Sequence, residues 1–269
     1  NADARIALEY DDANDGGLHF ITDNNNSPGT RMYISSAGEV GIGTEAPATL
    51  LEVQGGLTTT GAVMTLSTKE PSVVANDVLG RINFQAPLDT GADSDLVGAS
   101  IVAIAEGTFS DTVNSTSLQF QTGTSETATT RMTIDESGNV GIGDTSPDSP
   151  LYVKTTGTNT VKLVSTDAGS AAGPNMTFYR SSASPADDDN LSSLGFYCKN
   201  DAAEDILLTS ITNKVTDVTD GTEDGYMAVH AMAAGSLNEL VRFTGLGTIF
   251  NEDSRTMDIR MESGGNANM

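Results

Sequence analysis

The sequence predicts an all-β fold made of repeated modules, and two observations predict it. First, the segment Arg31-Met-Tyr-Ile-Ser-Ser-Ala-Gly-Glu-Val-Gly-Ile-Gly-Thr44 returns one hundred positions later, without a gap, as Arg131-Met-Thr-Ile-Asp-Glu-Ser-Gly-Asn-Val-Gly-Ile-Gly-Asp144. A unit that recurs at fixed spacing indicates an array of similar modules. Second, short alternating apolar runs bounded by Gly, Asp, Asn, Ser and Pro recur along the chain, and such runs are typical of strands.

Two apolar runs separated by a polar loop precede the repeated segment. In three copies they are residues 4–6 with 18–20, 99–101 with 118–120, and 209–211 with 227–229. Each second run is followed by an Arg-led strand, at Arg31, Arg131 and Arg242, and then by a turn that contains glycine. We therefore expect the first two copies to superpose with a register shift of one hundred.

The upstream half of the unit occurs twice. Met64-Thr-Leu66 with residues 79–84 matches Val161-Lys-Leu163 with residues 194–197, and we interpret all four as strands. The predicted domains are the C-terminal part of a preceding module (1–48), two full modules (49–148 and 149–250) and the start of the next (251–269). Because residue 1 is Asn and the pattern runs to both ends, we expect a part of a longer polypeptide.

Glycines mark two further features of the repeat. Gly38 and Gly138 lie in hairpin loops at the position that favours positive φ. In Val140-Gly-Ile-Gly143 both apolar side chains share one face and the other face is bare, which indicates another backbone passing close by. In an assembly about a common axis that backbone would come from a second chain.

Helix signals are poor. Residues 231–240 contain reasonable helix formers around one glycine. The repeat assigns them instead to the loop and strand that lead to Arg242, so at most one helical turn is expected there.

The charge of the chain limits its partners. The 269 residues include 37 Asp and Glu against 13 Lys and Arg, a formal charge of −24. A face that binds phosphate must be basic, so nucleic acid is not an expected partner, and neither is an anionic membrane surface. No apolar run approaches membrane-spanning length. The plainest role of the charge is solubility, as on a solvated shaft.

No catalytic site is predicted. His19 is replaced by Gln119 and about Ala228 in the other copies, and His230 lies at a different place in the repeat, so both are interpreted as surface strand residues. A glycosidase needs two carboxylates at a defined separation, and the sequence marks no such pair. The Gly-Ile-Gly segments are not phosphate loops, because no helix and no Lys-Ser or Lys-Thr pair follows.

Acidic clusters and arginines receive structural interpretations as well. The densest clusters are residues 187–189, Asp11-Asp12 with Asp15, and Asp217 with Asp220 and Asp224. The calcium-loop pattern fails at Asp11, because its third position is Ala13 and its twelfth is Thr22. We interpret the clusters as solvated loops, with weak cation binding as the alternative.

The recurring Arg31 and Arg131 are expected to form ion pairs with a neighbouring strand or subunit; a ligand clamp is the weaker alternative. Cys198 is interpreted as a small core or interface residue, and a single cysteine forms no disulfide within the chain. We assign no catalytic, cofactor-binding or metal-binding residue and expect no cofactor.

The predicted core is thin. The chain has 8 Phe, 6 Tyr and no Trp, but 28 Gly. Burial within one chain of this composition would hardly offset the entropy of ordering so many short strands. We therefore expect the chain to be stable only as an oligomer.

The repeated segment carries a family resemblance. Residues 131–143, followed by Ser146-Pro147 and Leu151-Tyr-Val153, resemble the repeat of bacteriophage tail fibres and related virion fibre proteins. Residues 183–187, 217–225 and 251–268 resemble the long fibre proteins of marine phages. The resemblance covers most of the chain and implies an elongated fibre of β-rich modules, assembled as an intertwined parallel homotrimer. Several such proteins end in a self-cleaving intramolecular chaperone domain, and no residue here matches one.

The resemblance implies a non-enzymatic structural part of a virion fibre, a rigid shaft for host attachment. It implies further copies of the chain and other virion proteins as partners, with assembly in the host cytoplasm, while a host glycan or protein would be contacted through another part of the chain. Membrane insertion is not expected. Two alternatives stay open: a tailspike-type glycan-binding or depolymerising protein, and a cellular surface adhesin filament.

Overall fold

The computed structural model describes residues 4–10, 16–24, 27–56, 59, 61–85, 96–124, 127–170 and 173–250. These residues form sixteen β-strands and no helix, which confirms the predicted all-β fold. In this part of the chain nothing helical is long and apolar enough to span a membrane. The chain divides into two compact units, residues 1–162 and 163–269.

The first sheet of the first unit has five strands in chain order. They are β1 (Arg5–Tyr10), β2 (Gly16–Asn24), β3 (Ser27–Ile34), β4 (Val40–Ile42) and β5 (Leu51–Val53). Neighbours are antiparallel except the last pair, in which β5 runs parallel to β4. Because a tight turn cannot join parallel neighbours, residues 43–50 form a crossover that returns the chain to the start of β5.

The second sheet of this unit has six strands with the same ending. They are β6 (Val78–Gln85), β7 (Val97–Ala105), β8 (Thr116–Thr122), β9 (Thr129–Ile134), β10 (Val140–Ile142) and β11 (Leu151–Val153). Again only the last pair is parallel, and residues 143–150 form the crossover.

The repeated strands share one register. Phe20 faces Met32 and Phe120 faces Met132, and in both sheets one extra residue, Arg31 or Arg131, then interrupts the pairing. The loop glycines Gly38 and Gly138 have φ of 87° and 82°, as predicted. The superposition with a shift of one hundred is therefore confirmed for β2–β5 and β8–β11, whereas the four predicted domain boundaries stay a prediction.

The second unit contains one antiparallel sheet of five strands. They are β12 (Asn190–Lys199), β13 (Asp205–Asp217), β14 (Asp224–Ala233), β15 (Ser236–Thr244) and β16 (Gly247–Phe250). A two-residue turn joins β14 to β15, and both of its residues, Ala234 and Gly235, have positive φ, as such hairpins require. Residues 231–240 thus form a hairpin, which confirms the assignment made from the repeat.

Arg242 does not occupy the position of Arg31 and Arg131. Val229 faces Val241 as Phe120 faces Met132, so the extra residue in the third sheet is Leu240, and Arg242 corresponds to Thr133. The predicted alignment is wrong by two residues, because few residue identities constrain it and the arginine lies at a different register position.

Two of the predicted strands are absent. Residues 64–66 and 161–163 belong to no sheet, and their backbones form no hydrogen bond with other described residues. The strand prediction is wrong for the single chain, because a strand needs backbone hydrogen bonds to a neighbour. Leu66 lies against Gly80 of β6, but no backbone hydrogen bond joins the two segments. Residues 251–269, predicted to begin another module, lie outside the described residues.

Candidate functional site: the open face of each sheet

In each sheet one face carries a continuous row of apolar side chains. Residues opposite each other on neighbouring strands project to the same face. The rows are Ile6, Phe20, Met32, Ile42 and Val53 in the first sheet; Ile82, Ile101, Phe120, Met132, Ile142 and Val153 in the second; and Leu194, Ile211, Val229, Val241 and Phe250 in the third. We call the face with this row the open face.

The open face is exposed in the single chain. No member of the three rows is buried, and Ile6 and Phe250 are 68% and 53% exposed. In the third sheet Phe196, Met227 and Phe243 extend the apolar surface. Contiguous exposed apolar side chains of this kind mark interaction sites on soluble proteins. Because one chain carries three such faces, we interpret the open faces as binding surfaces.

The opposite face is the covered face, and in the first two sheets the chain's own crossover lies against it. A Cβ on Gly141 would lie 2.5 Å from the carbonyl oxygen of Asp144, and one on Gly41 would collide with that of Thr44. The predicted close approach of a backbone is therefore confirmed. Its assignment to a second chain is wrong at these glycines, because the parallel strand pair itself requires the crossover.

The covered face is polar and buried. In the first sheet His19 is 6% exposed, its Nδ1 lies 3.2 Å from Thr30 Oγ1, and its ring centroid lies 4.6 Å from that of Tyr33. In the second sheet Thr130 Oγ1 donates to Gln119 Oε1 at 2.7 Å. His19 is thus a strand residue, as predicted, but its surface placement is wrong, because the crossover shields this face from water.

The third sheet carries charged groups at the same register positions. Arg242 donates to both carboxylate oxygens of Glu239 at 2.9 Å, and its guanidinium carbon lies 4.2 Å from the centre of the Tyr226 ring. His230 Nε2 lies 3.9 Å from Glu239, and its side chain is only 20% exposed, so its predicted surface placement is wrong as well. The ion pair spans the irregularity at Leu240, which favours a structural role for this cluster.

The acidic loops cap turns. Asp189 accepts a hydrogen bond from the Ala186 N–H and pairs with Arg180 at 3.0 Å; these contacts hold the pKa of Asp189 below its ordinary value. Hydrogen bonds from Thr219 do the same to the pKa of Asp217. The interpretation as freely solvated loops is therefore incomplete.

Metal binding has no support in the described part of the chain. No group of three His, Cys, Asp or Glu side chains there could hold a metal ion. The cluster of Asp11, Asp12 and Asp15 lies outside the described residues.

One shallow depression brings two carboxylates together. Asp135 and Glu136 line a volume of 290 Å³ with Thr112 and Ser115. Partial desolvation raises the pKa of Asp135, but hydrogen bonds from Asn139 and the neighbouring turn outweigh it and hold that pKa below the ordinary value. A glycosidase acid needs a raised pKa, so Asp135 does not fit that role.

The recurring arginines bond to threonines. Arg31 Nε donates to Thr22 Oγ1 at 3.0 Å and Arg131 Nε to Thr122 Oγ1 at 3.3 Å. Neither forms an ion pair with a described residue, so the predicted pair with a neighbouring strand is wrong: at the irregularity, the side chain reaches a hydroxyl instead. A pair with a second subunit stays a prediction. Cys198 is exposed, which contradicts a core role and leaves the interface role a prediction.

Sequence reasoning missed the open face, although signals for it were present. Alternation places apolar residues such as Val140 and Ile142 on one face of a strand, and the strand register aligns these faces into a row. Pro47 and Pro147 of the crossovers are buried in the structure, but no sequence signal shows which face a crossover covers.

Comparison with known proteins adds the class of fold. No protein-family model matches the chain, and no curated protein matches it. Solved structures do match, and they define an all-β fold like that of a phage tail fibre domain. The carboxy-terminal domain of the bacteriophage T5 L-shaped tail fibre is similar with a TM-score of 0.58 and 13% identity, over 80% of this chain and 98% of that one. The same domain with its intramolecular chaperone domain gives a TM-score of 0.59 and 12% identity, over 80% and 67%. At these identities the likeness concerns the fold alone.

Proposed function

We propose that this chain is a structural, non-enzymatic segment of a virion fibre whose copies assemble through their open faces into a parallel homotrimer. The observation that carries the proposal is the apolar row, exposed in each of three sheets. The similarity to a phage tail fibre domain supports the fibre part. Neither the depolymerase nor the adhesin alternative is favoured by a specific observation in the described residues.

The magnitudes favour assembly through several sheets together. Burying an apolar patch of about 500 Å², which is the size of the largest patch on a typical monomer, stabilises by about 12 kcal/mol. Association costs about 4–15 kcal/mol, so one open face would barely hold two copies together. The three rows belong to one chain and share a single association cost. Each further face therefore adds its stabilisation almost in full.

Charge sets the conditions for assembly. Each copy brings a formal charge of −24, and the repulsion between copies opposes apolar contact. Salt screens that repulsion, so the oligomer is more stable at higher ionic strength. The segment acts as a shaft for host attachment within the virion, next to other virion proteins. A host glycan or protein is contacted through another part of the chain.

The test is the mass of the full chain in solution, measured by sedimentation at micromolar concentration with two variants. Ile142→Asp places a charge on the row of the second sheet, where the side chain is 43% exposed. Thr145→Asp adds the same charge at an exposed crossover position. We expect trimers for the wild type and for Thr145→Asp, and dissociated chains for Ile142→Asp. A folded wild-type monomer contradicts the proposal, and a dimer contradicts the trimer alone.

A further inference from the structure

A short segment of the first unit lies against the open face of the second sheet. A Cβ on Gly80 of β6 would come within 2.9 Å of the Cβ of Leu66. Gly80 projects to the same face as Ile82, because the two lie two residues apart on one strand. Residues 62–66 therefore lie over the β6 end of the apolar row, and we call them the strap.

The strap and the proposed assembly require the same side chains. Met64 and Leu66 line a depression of 380 Å³. Its other walls include Ile82 and Ile101, the first two members of the row. A second copy that contacts the row at these two strands would meet the strap first. The strap thus occupies part of the surface through which copies are proposed to join.

Few contacts hold the strap in place. No backbone hydrogen bond joins residues 62–66 to another described residue. Met64 and Leu66 remain 65% and 47% exposed, so much of their apolar surface stays in water. Because few buried contacts and few backbone hydrogen bonds mean a low free energy of local opening, the strap is a part of its unit that opens at little cost.

The strap is anchored at one end and preceded by glycines at the other. Downstream, the Asn76 N–H donates to the Ala105 carbonyl at 2.7 Å, and the Ala105 N–H donates to the Asp77 carbonyl at 2.9 Å, which ties the turn to the end of β7. Upstream, Gly56 and Gly61 have φ of 67° and 59°, conformations that glycine adopts without strain. A segment between an anchored turn and such glycines can swing as a unit.

The same arrangement recurs in front of the third sheet. Residues 74–77 and 186–189 form the same turn, in which the N–H of the first residue donates to Oδ2 of the last. The third residue of each turn has positive φ, 76° and 67°. Counting back an equal distance from the two turns aligns Met64-Thr-Leu66 with Met176-Thr-Phe178. The apolar segment and its anchoring turn therefore belong to the module.

We propose that the strap is an autoinhibitory contact, which shields the β6–β7 end of the second sheet's open face in the free chain and swings away before copies join there. The inference rests on the proposed assembly through the open faces and adds a step that controls it. The strap keeps part of the apolar surface of a free chain from associating indiscriminately. Association is slower as a consequence, because a conformational change that must accompany binding lowers its rate.

Locking the strap with a disulfide tests the inference. Leu66→Cys with Gly80→Cys, in a Cys198→Ser background, places two thiols at positions whose Cβ atoms are close enough for a disulfide after a small shift. By sedimentation of the full chain, we expect the oxidised form to need a concentration at least ~10-fold higher for half-assembly than the same chain reduced with dithiothreitol. Equal assembly of the two forms overturns the inference and leaves assembly through the open faces intact. A wild-type chain that stays monomeric contradicts the proposed assembly itself.

Two single variants of the strap provide a second measurement that needs no disulfide. Leu66→Ser removes the side chain that contacts Gly80, whereas Val63→Ser changes a residue that is 70% exposed and lies outside the depression. We expect Leu66→Ser to assemble at least ~3-fold faster than the wild type and Val63→Ser to match it, followed by light scattering after the salt concentration is raised. An unchanged or slower rate for Leu66→Ser would show that the strap does not oppose assembly and would contradict the inference.

Discussion

In the first sheet Gly17, His19 and Tyr33 occupy the covered face, and in the second sheet the corresponding residues are Ser117, Gln119 and Thr133. The backbones agree: the Gly43 N–H donates to the Arg31 carbonyl, as Gly143 does to that of Arg131, at 3.0 and 2.9 Å. The side chains compensate in volume, because a Cβ on Gly17 would collide with the Tyr33 ring. The glycines and the strand register therefore define this fold, and the covered face accommodates different combinations of polar side chains.

The third sheet extends the comparison. Positions held by uncharged Thr130 and Thr133 in the second sheet hold Glu239 and Arg242 in the third. The same site in the sheet thus tolerates an ion pair when both partners change together.

Substitution of the crossover glycines should cause the largest loss of stability, and the loss should be equal in the first two sheets. In Gly43→Ala and Gly143→Ala the new Cβ meets the carbonyl oxygen of Gln54 or Lys154, and φ is +79° or +77°. We expect each to lower the free energy of unfolding by about 3 kcal/mol or more, measured by urea denaturation. Gly138→Ala is the control: φ is +82° and nothing lies within 4 Å of its new Cβ, so only about 1–2 kcal/mol is expected. Unequal costs in the two sheets would contradict the shared backbone.

The ion pair of the third sheet should rank second. Glu239→Gln removes the charge beside Arg242, whose side chain is 22% exposed. Because the charge-assisted hydrogen bonds from Arg242 to a carboxylate are replaced by a weaker contact with a neutral amide, we expect a loss of about 2 kcal/mol, read from the thermal midpoint. Glu136→Gln in an exposed turn is the control and should change little. A similar result for both would show that the cluster is dispensable.

Exchanging the covered-face residues Gly17 and Tyr33 for those of the second sheet should have the third largest effect on stability. Gly17→Ser introduces the residue of the second sheet beside Tyr33, and overpacking is expected to cost about 1–2 kcal/mol. Adding Tyr33→Thr completes the exchange and should recover most of that loss. A double-mutant cycle measures the coupling, and additive effects would show that the two positions are independent.

The crossover ion pair should have the smallest effect. Lys154 Nζ lies 2.6 Å from Asp144 Oδ2, where the first sheet has Gln54 and Thr44. The hydrogen bond from Lys154 lowers the pKa of Asp144, and the same contact raises the pKa of Lys154. The stability that ionised Asp144 contributes is fully present above the ordinary aspartate pKa and is lost as the pH falls through the lowered pKa of Asp144. The lysine contribution is present below the ordinary lysine pKa and is lost as the pH rises through the raised value.

Asp144→Thr combined with Lys154→Gln therefore converts this site into that of the first sheet. We expect the variant to lose part of the acid dependence of its thermal midpoint, and to match the wild type in high salt, where an exposed pair contributes little. An unchanged acid profile would show that the pair does not contribute to stability.

The strands, the turn glycines and the register of the first two copies could be predicted from the sequence, because alternation and φ preferences are local properties. The open face could not, because alternation shows which residues share a face but not which face the crossover covers. His19 illustrates this: a polar residue in an alternating strand suggests the surface, and the path of residues 43–50 reverses that. The sequence places Arg242 two residues from its true equivalent, because strand pairing and not residue identity defines equivalent positions.

Because each of the first two sheets ends with its own parallel strand, the gene can gain or lose a whole module. Among the described residues no backbone hydrogen bond joins the first sheet to the second, so neither sheet depends on the other for its pairing. Recombination between the matching segments 31–53 and 131–153, which are identical at 11 of 23 positions, removes or adds one hundred codons in frame and leaves each sheet a complete set of strands. Length can therefore vary between relatives in whole units, without a broken intermediate.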